Sequence, residues 1–475
     1  MVQLPRQLAD FLGEPREVRQ RREVSFLILT DPPIHGLLGF AQGHRRLRAI
    51  VNAELPPLVA PFRGERYAGG DRLSALIAPP YDVISREDRA RYAALDPHNI
   101  VHLILPEAPS GGGGDRYAHA AALLAQWRAS GVVQPDAGDS VYVVAQDYAL
   151  PSGERRTRIG MFAAVRAEPF EARRVRPHEK THSAPKADRL ALLRATAANL
   201  ESIFLLAPDA DRKLAQALAR RATGVPAAHA ELDGVRIRLW IAAGEAATEL
   251  ARLAGQDRLY IADGHHRYET AVAYAREYPG ADRVLSFIVS ARDPGLTILP
   301  THRIVFGTGR DPAKLVAGWR EWFEVGRVAP CMDRLERLAE LGRGRTACIV
   351  ALPDDYDVTL VLKPDVKLDG IPGLGKSPQV RGLDVARVET LVVERILGAG
   401  TATPSLAYTP DARAAFDAVR SGRAAAAVLL NPTKVEEVFG VADAGDFMPP
   451  KSTYFVPKVP SGVVMRRLEG AMRGY

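Results

Sequence analysis

The sequence predicts a mixed α/β fold, on three observations. Apolar runs of strand length alternate with longer segments of helical spacing, most regularly between residues 174 and 290. Hydrophobic residues make up 47% of the chain and charged residues 25%, as in an ordinary globular protein and unlike a disordered, collagen-like or disulfide-stapled one. No internal repeat and no heptad pattern is found. At 475 residues the chain can bury a sizeable core, and roughly 150 residues per domain gives about three domains.

Taken in order, residues 1–56 mix charged patches (Arg16–Glu23, His44–Arg48) with short apolar runs and read as an extension to the main body. Regular text begins near Leu58. Ser85 is placed to cap a helix over Arg86–Leu95, and Asp115–Ser130 has helical spacing that ends at Gly131. The Gly111–Gly114 run lacks the Lys-Ser/Thr of a P-loop and reads as a surface loop. Val141–Tyr148 and Ile159–Val165 flank Pro151-Ser152-Gly153 as a hairpin. A strand ending at Arg174–Arg176, a helix over Lys186–Ala198, a strand at Ser202–Leu206 and a helix near Asp211–Thr223 follow. Val235–Ile241, Arg258–Ala262 and Arg283–Ser290 are strands, separated by helices over Ala246–Leu253 and His266–Tyr278. Residues 283–310 read as strands and loops, Asp384–Leu397 as a helix, and the chain from Val428 as short strands rich in proline.

The formal charge of +7, from 63 basic and 56 acidic residues, is spread thinly and favours a soluble enzyme over a nucleic-acid binder. Residues 1–56 carry eight basic and six acidic side chains, which argues against a basic arm. Cys331 and Cys348 are too few and too badly spaced for zinc, and suit a reducing compartment. Arg6, Asp10, Glu14 and Arg16 break up any signal peptide, and the apolar stretch Phe26–Leu29 falls far short of the ~20 residues needed to span a bilayer. A cytoplasmic protein with no membrane contact is expected, its oligomeric state left open.

The most informative segment runs from Leu259 to Ala271: an apolar strand, a glycine turn, then a helix start crowded with His265, His266 and Arg267. The first turn of a helix carries partial positive charge and ordinarily favours acidic side chains. Extra cations there suit a bound phosphate, held by backbone N–H groups with charge-assisted help from Arg267. The alternative is that the histidines merely pack or cap. Metal binding through the pair is disfavoured, since adjacent residues do not share a helix face. A second constellation, Pro177-His178-Glu179-Lys180-Thr181-His182 with Lys186, Asp188 and Arg189 behind it, holds more polar groups than a solvated loop requires. Asp82 follows two prolines that fix the backbone, as a ligand for Mg²⁺ or substrate or as a plain Asx turn. Arg303 either completes an anion pocket or sits at a surface strand end. Lys451, after Pro449-Pro450, is placed to close the site from the C-terminal side.

The turn Gly264-His265-His266-Arg267 resembles the phosphate-binding signature of the ParB/sulfiredoxin superfamily, a strand followed by Gly-x-x-Arg opening a helix. That superfamily includes CTP-binding chromosome-partitioning proteins, sulfiredoxin and free-serine kinases. From about Pro57 to Leu468 the chain is identified as a member of the prokaryotic family called domain of unknown function 1015, some of whose members are labelled SpoOJ/ParB-related. Leu58–Gly64, Ala78–Ser85, Arg176–Thr181, Lys186–Leu190, Leu299–Arg303, Leu430–Thr433 and Met448–Phe455 carry the resemblance. It implies an N-terminal α+β region over 57–170, a central ParB/sulfiredoxin-like phosphate-binding domain over 171–310 and a C-terminal α+β region over 311–470, with residues 1–56 outside the match.

In function it implies a nucleotide-dependent phosphotransferase acting on a small hydroxyl metabolite, free serine first, using ATP or ADP with Mg²⁺. Asp263, Gly264, His265, His266, Arg267 and Arg303 are then the phosphate-binding set, with His265 and His266 also catalytic. Glu179 is the general base by its place in the motif, and its cationic neighbours are expected to favour the ionised form. His178, Asp82 and Lys451 contact or support the substrate. A phosphatase of a phosphoester such as phosphoserine is the alternative. A nucleotide-binding module acting with DNA is a further one, disfavoured because no pair of helices follows the motif.

Overall fold

The computed structural model describes residues 56–109, 114–306, 312–328, 333–353, 357–394 and 405–468. Expectations for residues 1–55, Gly111–Gly113 and Cys331 lie outside them. The chain divides into two units, 1–56 and 57–475, and everything described below belongs to the second.

That unit is a mixed α/β structure built on two sheets. The first has nine strands: β1 (Val59–Ala60), β2 (Ser140–Ala149), β3 (Arg155–Arg166), β4 (Val175–Arg176), β5 (Ile203–Ala207), β6 (Ala228–Leu232), β7 (Val235–Ala243), β8 (Leu259–Asp263) and β9 (Arg283–Ser290). Their order is β4-β8-β5-β9-β3-β2-β7-β6, with β1 also on β3. The pairs β4/β8 and β5/β9 are parallel and the rest antiparallel. Strands from both sides of residue 171 share this sheet.

Both of its faces are covered, so the central strands read as unbroken apolar runs and not as alternating ones. The pleat still sorts the side chains by a period of two. Tyr142, Phe162, Leu285 and Phe287 join one core, and Val143, Met161, Val284 and Ile288 join the other. Helix α1 (Arg86–Leu95) begins where Ser85 caps it, the hydroxyl accepting the Asp88 N–H at 3.0 Å. Helix α2 (Arg116–Ala129), capped by Asp115, buries Ala120, Leu124 and Trp127 in the first core. Helices α3 (Ser183–Thr196), α4 (Lys213–Arg221), α5 (Glu245–Ala254) and α6 (His265–Glu277) follow close to the expected places. Strand β6 was not among those expected from sequence. Its partner β7 follows through Asp233-Gly234, both at positive φ, a tight-turn signal that the sequence does carry.

The second sheet is wholly antiparallel. It comprises β11 (His302–Phe306), β12 (Phe323–Val328), β13 (Ala347–Ala351), β14 (Asp357–Leu362), β15 (Ser405–Thr409) and β16 (Ala426–Leu430), ordered β12-β14-β13-β16-β11-β15. The expected helix from Asp384 is helical to Val388 and continues as a π-turn over Glu389–Val393. Between the sheets, β10 (Thr297–Leu299) pairs antiparallel with β17 (Tyr454–Val456), which brings the C-terminal segment back onto the first sheet. The fully buried Arg158 fastens it there, donating to the carbonyls of Val456 at 3.2 Å and Pro457 at 2.6 Å.

Candidate functional site

Because β4 and β8 run parallel, with Val175 beside Leu259 and Arg176 beside Tyr260, the loops leaving both strands emerge at one edge of the sheet. The 177–182 loop therefore meets the 263–267 turn. Gly264 sits at φ +92°, and a side chain there would be strained and would press on the Arg267 guanidinium 3.1 Å away. No side chain caps α6, so the first-turn N–H groups of a thirteen-residue helix have no side-chain partner at its start.

The two histidines of the turn are spent on the neighbouring loop. His265 accepts the His178 N–H at 3.3 Å and His266 accepts the His182 N–H at 2.8 Å. A ring nitrogen that accepts is not protonated, and burial pushes both imidazoles below their ordinary range, reinforced by His178 for the first and His182 for the second. They are neutral structural links near pH 7 and do not supply the positive charge expected of them. His178 is also buried, pushed down to about 4 by desolvation, with Nε2 3.2 Å from the Thr453 hydroxyl.

Cationic charge comes from elsewhere. Arg267 donates to Asp263 at 3.0 Å and to the Ser202 carbonyl at 2.5 Å. Burial opposes its charge, but Asp82, Glu201 and Asp263 outweigh that and raise its pKa. Lys458, from the C-terminal segment, reaches Asp263 at 3.3 Å. Burial favours the protonated form of Asp263, yet Lys458 and Arg267 together hold it down at about 2. Asp82 is exposed on the short turn Tyr81–Val83, and its charge acts on Arg267, His266 and Lys458.

Glu179 is half-buried between these groups. Burial raises its pKa and Asp263 adds to this, while the Lys451 charge opposes it. The expectation that cations would dominate is thus reversed: desolvation wins because Lys451 is exposed. Lys451 itself lies beside Glu179 at φ +56°, on a loop tied down where Met448 N–H donates to the His178 carbonyl at 2.9 Å.

Arg303 is not part of this arrangement. It is buried in β11, where its partners are Glu389 at 2.9 Å, the Thr301 carbonyl and the Tyr408 ring, none of them in the turn. Three residues of the site went unread in the sequence. Lys458 lies between Pro457 and Pro460, a proline-flanked charge like Asp82, which was the available signal. Glu201 accepts the Tyr81 N–H at 3.0 Å, and Glu269 accepts from Thr181 at 2.9 Å and Lys186 at 2.5 Å; no local pattern marks either.

Fold and site together define a mixed α/β protein with an uncapped helix at the edge of two parallel strands, ringed by Glu179, Asp263, Arg267, Asp82 and Lys458. The family model that matches residues 59–386 is that of the DUF1015 proteins of unknown function, and the chain belongs to that family. Among solved structures it is similar to a free serine kinase in complex with AMP, at 15% identity and a TM-score of 0.33, over 62% of this chain and 87% of that one. A conserved hypothetical protein from Pyrococcus furiosus is similar at 15% identity and a TM-score of 0.32, over 64% and 93%. The C-terminally truncated SbnI from Staphylococcus aureus is similar at 13% and 0.32, over 63% and 84%. No curated protein matches the chain. Among the described residues no helix is long and apolar enough to cross a membrane, and no group of three or more His, Cys, Asp or Glu side chains is arranged to hold a metal ion.

Proposed function

We propose that the chain is a nucleotide-dependent phosphotransferase acting on a small hydroxyl metabolite, with free serine the first acceptor to try. The observation that carries this reading is the uncapped start of α6 beside a half-buried carboxylate of raised pKa. The N–H groups after Gly264 and the cation Lys458 stabilise transferring phosphate, as positioning and electrostatics do in phosphoryl transfer generally. Glu179 takes the acceptor's hydroxyl proton as its oxygen bonds to phosphorus, and the P–O bond to the departing nucleotide breaks. A base works best with a pKa near the working pH, so a raised glutamate suits the role better than an ordinary one. Asp263 is held between two cations, so the exposed Asp82 is the carboxylate that would hold a Mg²⁺, which would supply charge neutralisation at the phosphates.

This reading makes the turn a ParB/sulfiredoxin-like phosphate site, in keeping with the SpoOJ/ParB-related label. It works on a small molecule in the cytoplasm, where the buried free thiol of Cys348 is at home. Strands β9, β10 and β11 follow the motif in place of a helix pair, which favours this reading over a DNA-bound module. Glu179→Gln keeps shape and hydrogen-bonding size but cannot take the proton. Turnover with ATP or ADP and serine, followed by product analysis, is expected to fall on the order of 10²–10⁴-fold while nucleotide affinity holds. Unchanged turnover removes Glu179 from the role.

A further inference from the structure

Lys458 belongs to two places at once. Its ammonium touches Asp263 at the phosphate turn, and the same residue lines a cleft of about 780 Å³. Pro79, Val83 and Ile84 form one wall, and the C-terminal segment around Tyr454 and Pro457 forms another. Val83, at this wall, is 40% exposed, and Ile84, Leu150 and Val235 are only partly covered. Apolar surface left open around a cavity of this size is the usual form of a small-ligand pocket, for which ~300–1,000 Å³ is typical. A free amino acid would leave most of it empty.

Most side-chain polar groups of the cleft already have partners within the protein. The Gln146 amide donates to the Lys458 carbonyl at 3.1 Å and accepts from Arg158 at 2.5 Å. The Tyr148 hydroxyl donates to the Gly295 carbonyl at 2.8 Å, and Tyr92 donates to Asp233, which also holds Arg91 at 3.3 Å. What the walls still offer is flat: proline rings and the Tyr454 ring, with the Lys458 ammonium 4.5 Å from its centroid. Flat apolar walls take a planar ring, and walls whose hydrogen bonds are satisfied read little of its edge.

Resting on the function proposed above, we infer that this cleft lodges the nucleoside of the nucleotide whose phosphates lie at the 263–267 turn, and that it discriminates weakly between bases. The phosphate end then sits by Lys458, which lines the cleft and reaches Asp263 of the turn.

The test is calorimetric titration of the full chain, with Mg²⁺, by ADP, GDP, CDP and inorganic pyrophosphate. Wild type should bind the three nucleotides within about tenfold of one another. Val83→Trp, at an exposed position, and Leu150→Trp as an independent second blockade should each weaken ADP at least tenfold and leave pyrophosphate unchanged. ADP binding that survives both substitutions overturns the inference while the phosphate site stands, as does equal weakening of ADP and pyrophosphate. A preference above 100-fold for one base overturns it too. Failure of wild type to bind either pyrophosphate or any nucleotide overturns the function proposed above, and the inference with it.

Discussion

Two histidines next to strand ends, one opening a strand of the second sheet and one opening the helix that leaves the first, look alike in chemistry and differ in consequence. His302 opens β11, is buried, and accepts the Leu430 N–H at 3.3 Å; beside it Arg303 is locked onto Glu389. His265 follows β8, is also buried, and also accepts a backbone N–H at 3.3 Å, that of His178. The first bond lies within an antiparallel sheet. The second joins two loops at the ends of adjacent parallel strands, where a helix starts uncapped and Glu179, Asp263 and Lys458 come together. Residue type is therefore not what makes a site here. Place in the topology is what marks the candidate: the loops leaving neighbouring parallel strands meet at one end of the sheet, where ligand sites of α/β sheets commonly lie.

The sharpest way to break that comparison is to remove the basic residue of the structural region. Arg303→Ala leaves Glu389 facing a buried gap and is expected to cost about 3–5 kcal/mol of stability in urea unfolding, with nucleotide affinity unchanged. Loss of affinity at retained stability would place Arg303 back in the site.

Acid stability separates the regions next. His178 and His302 are each held near 4 by burial, against an ordinary 6.5. Their folded pKa values lie below the unfolded ones, so the stability they contribute is complete above about 6.5 and is lost as pH falls toward 4. His302→Asn should flatten part of that slope and leave the pH dependence of ligand binding alone. A slope identical to wild type would show that His302 is not among its sources. Catalysis should show its own acid limb, above the ordinary glutamate range, because Glu179 must be deprotonated and its pKa is raised.

The smallest effect is local. Ser85→Ala removes the α1 cap and should cost about 1 kcal/mol. It lies outside both comparisons and serves as a control for them in thermal unfolding.

What could be read from sequence was what is settled locally. The Ser85 cap, the helix from Asp115, the β2–β3 hairpin and the strand–turn–helix at 259–277 each carry their signal within a few residues. The environment of those residues is another matter. Whether His265 is charged depends on His178, 87 residues away; whether Arg303 is available depends on Glu389, 86 away; and Lys458 reaches Asp263 across 195. Glu179 is half-buried where the 448–458 segment is tied to its loop and faces Asp263, so the sign of its pKa shift was out of reach of neighbouring residues alone.

The central claim is that the 263–267 turn holds the phosphates of a nucleotide. Calorimetric titration of ADP with Mg²⁺ into wild type, Glu179→Gln and Arg267→Gln tests it most directly. The account expects equal binding by the first two and at least tenfold weaker binding by the third, in which the turn loses its ties to Asp263 and Ser202. A wild-type chain that takes up no nucleotide, or an Arg267→Gln chain that binds as tightly as wild type, would contradict it.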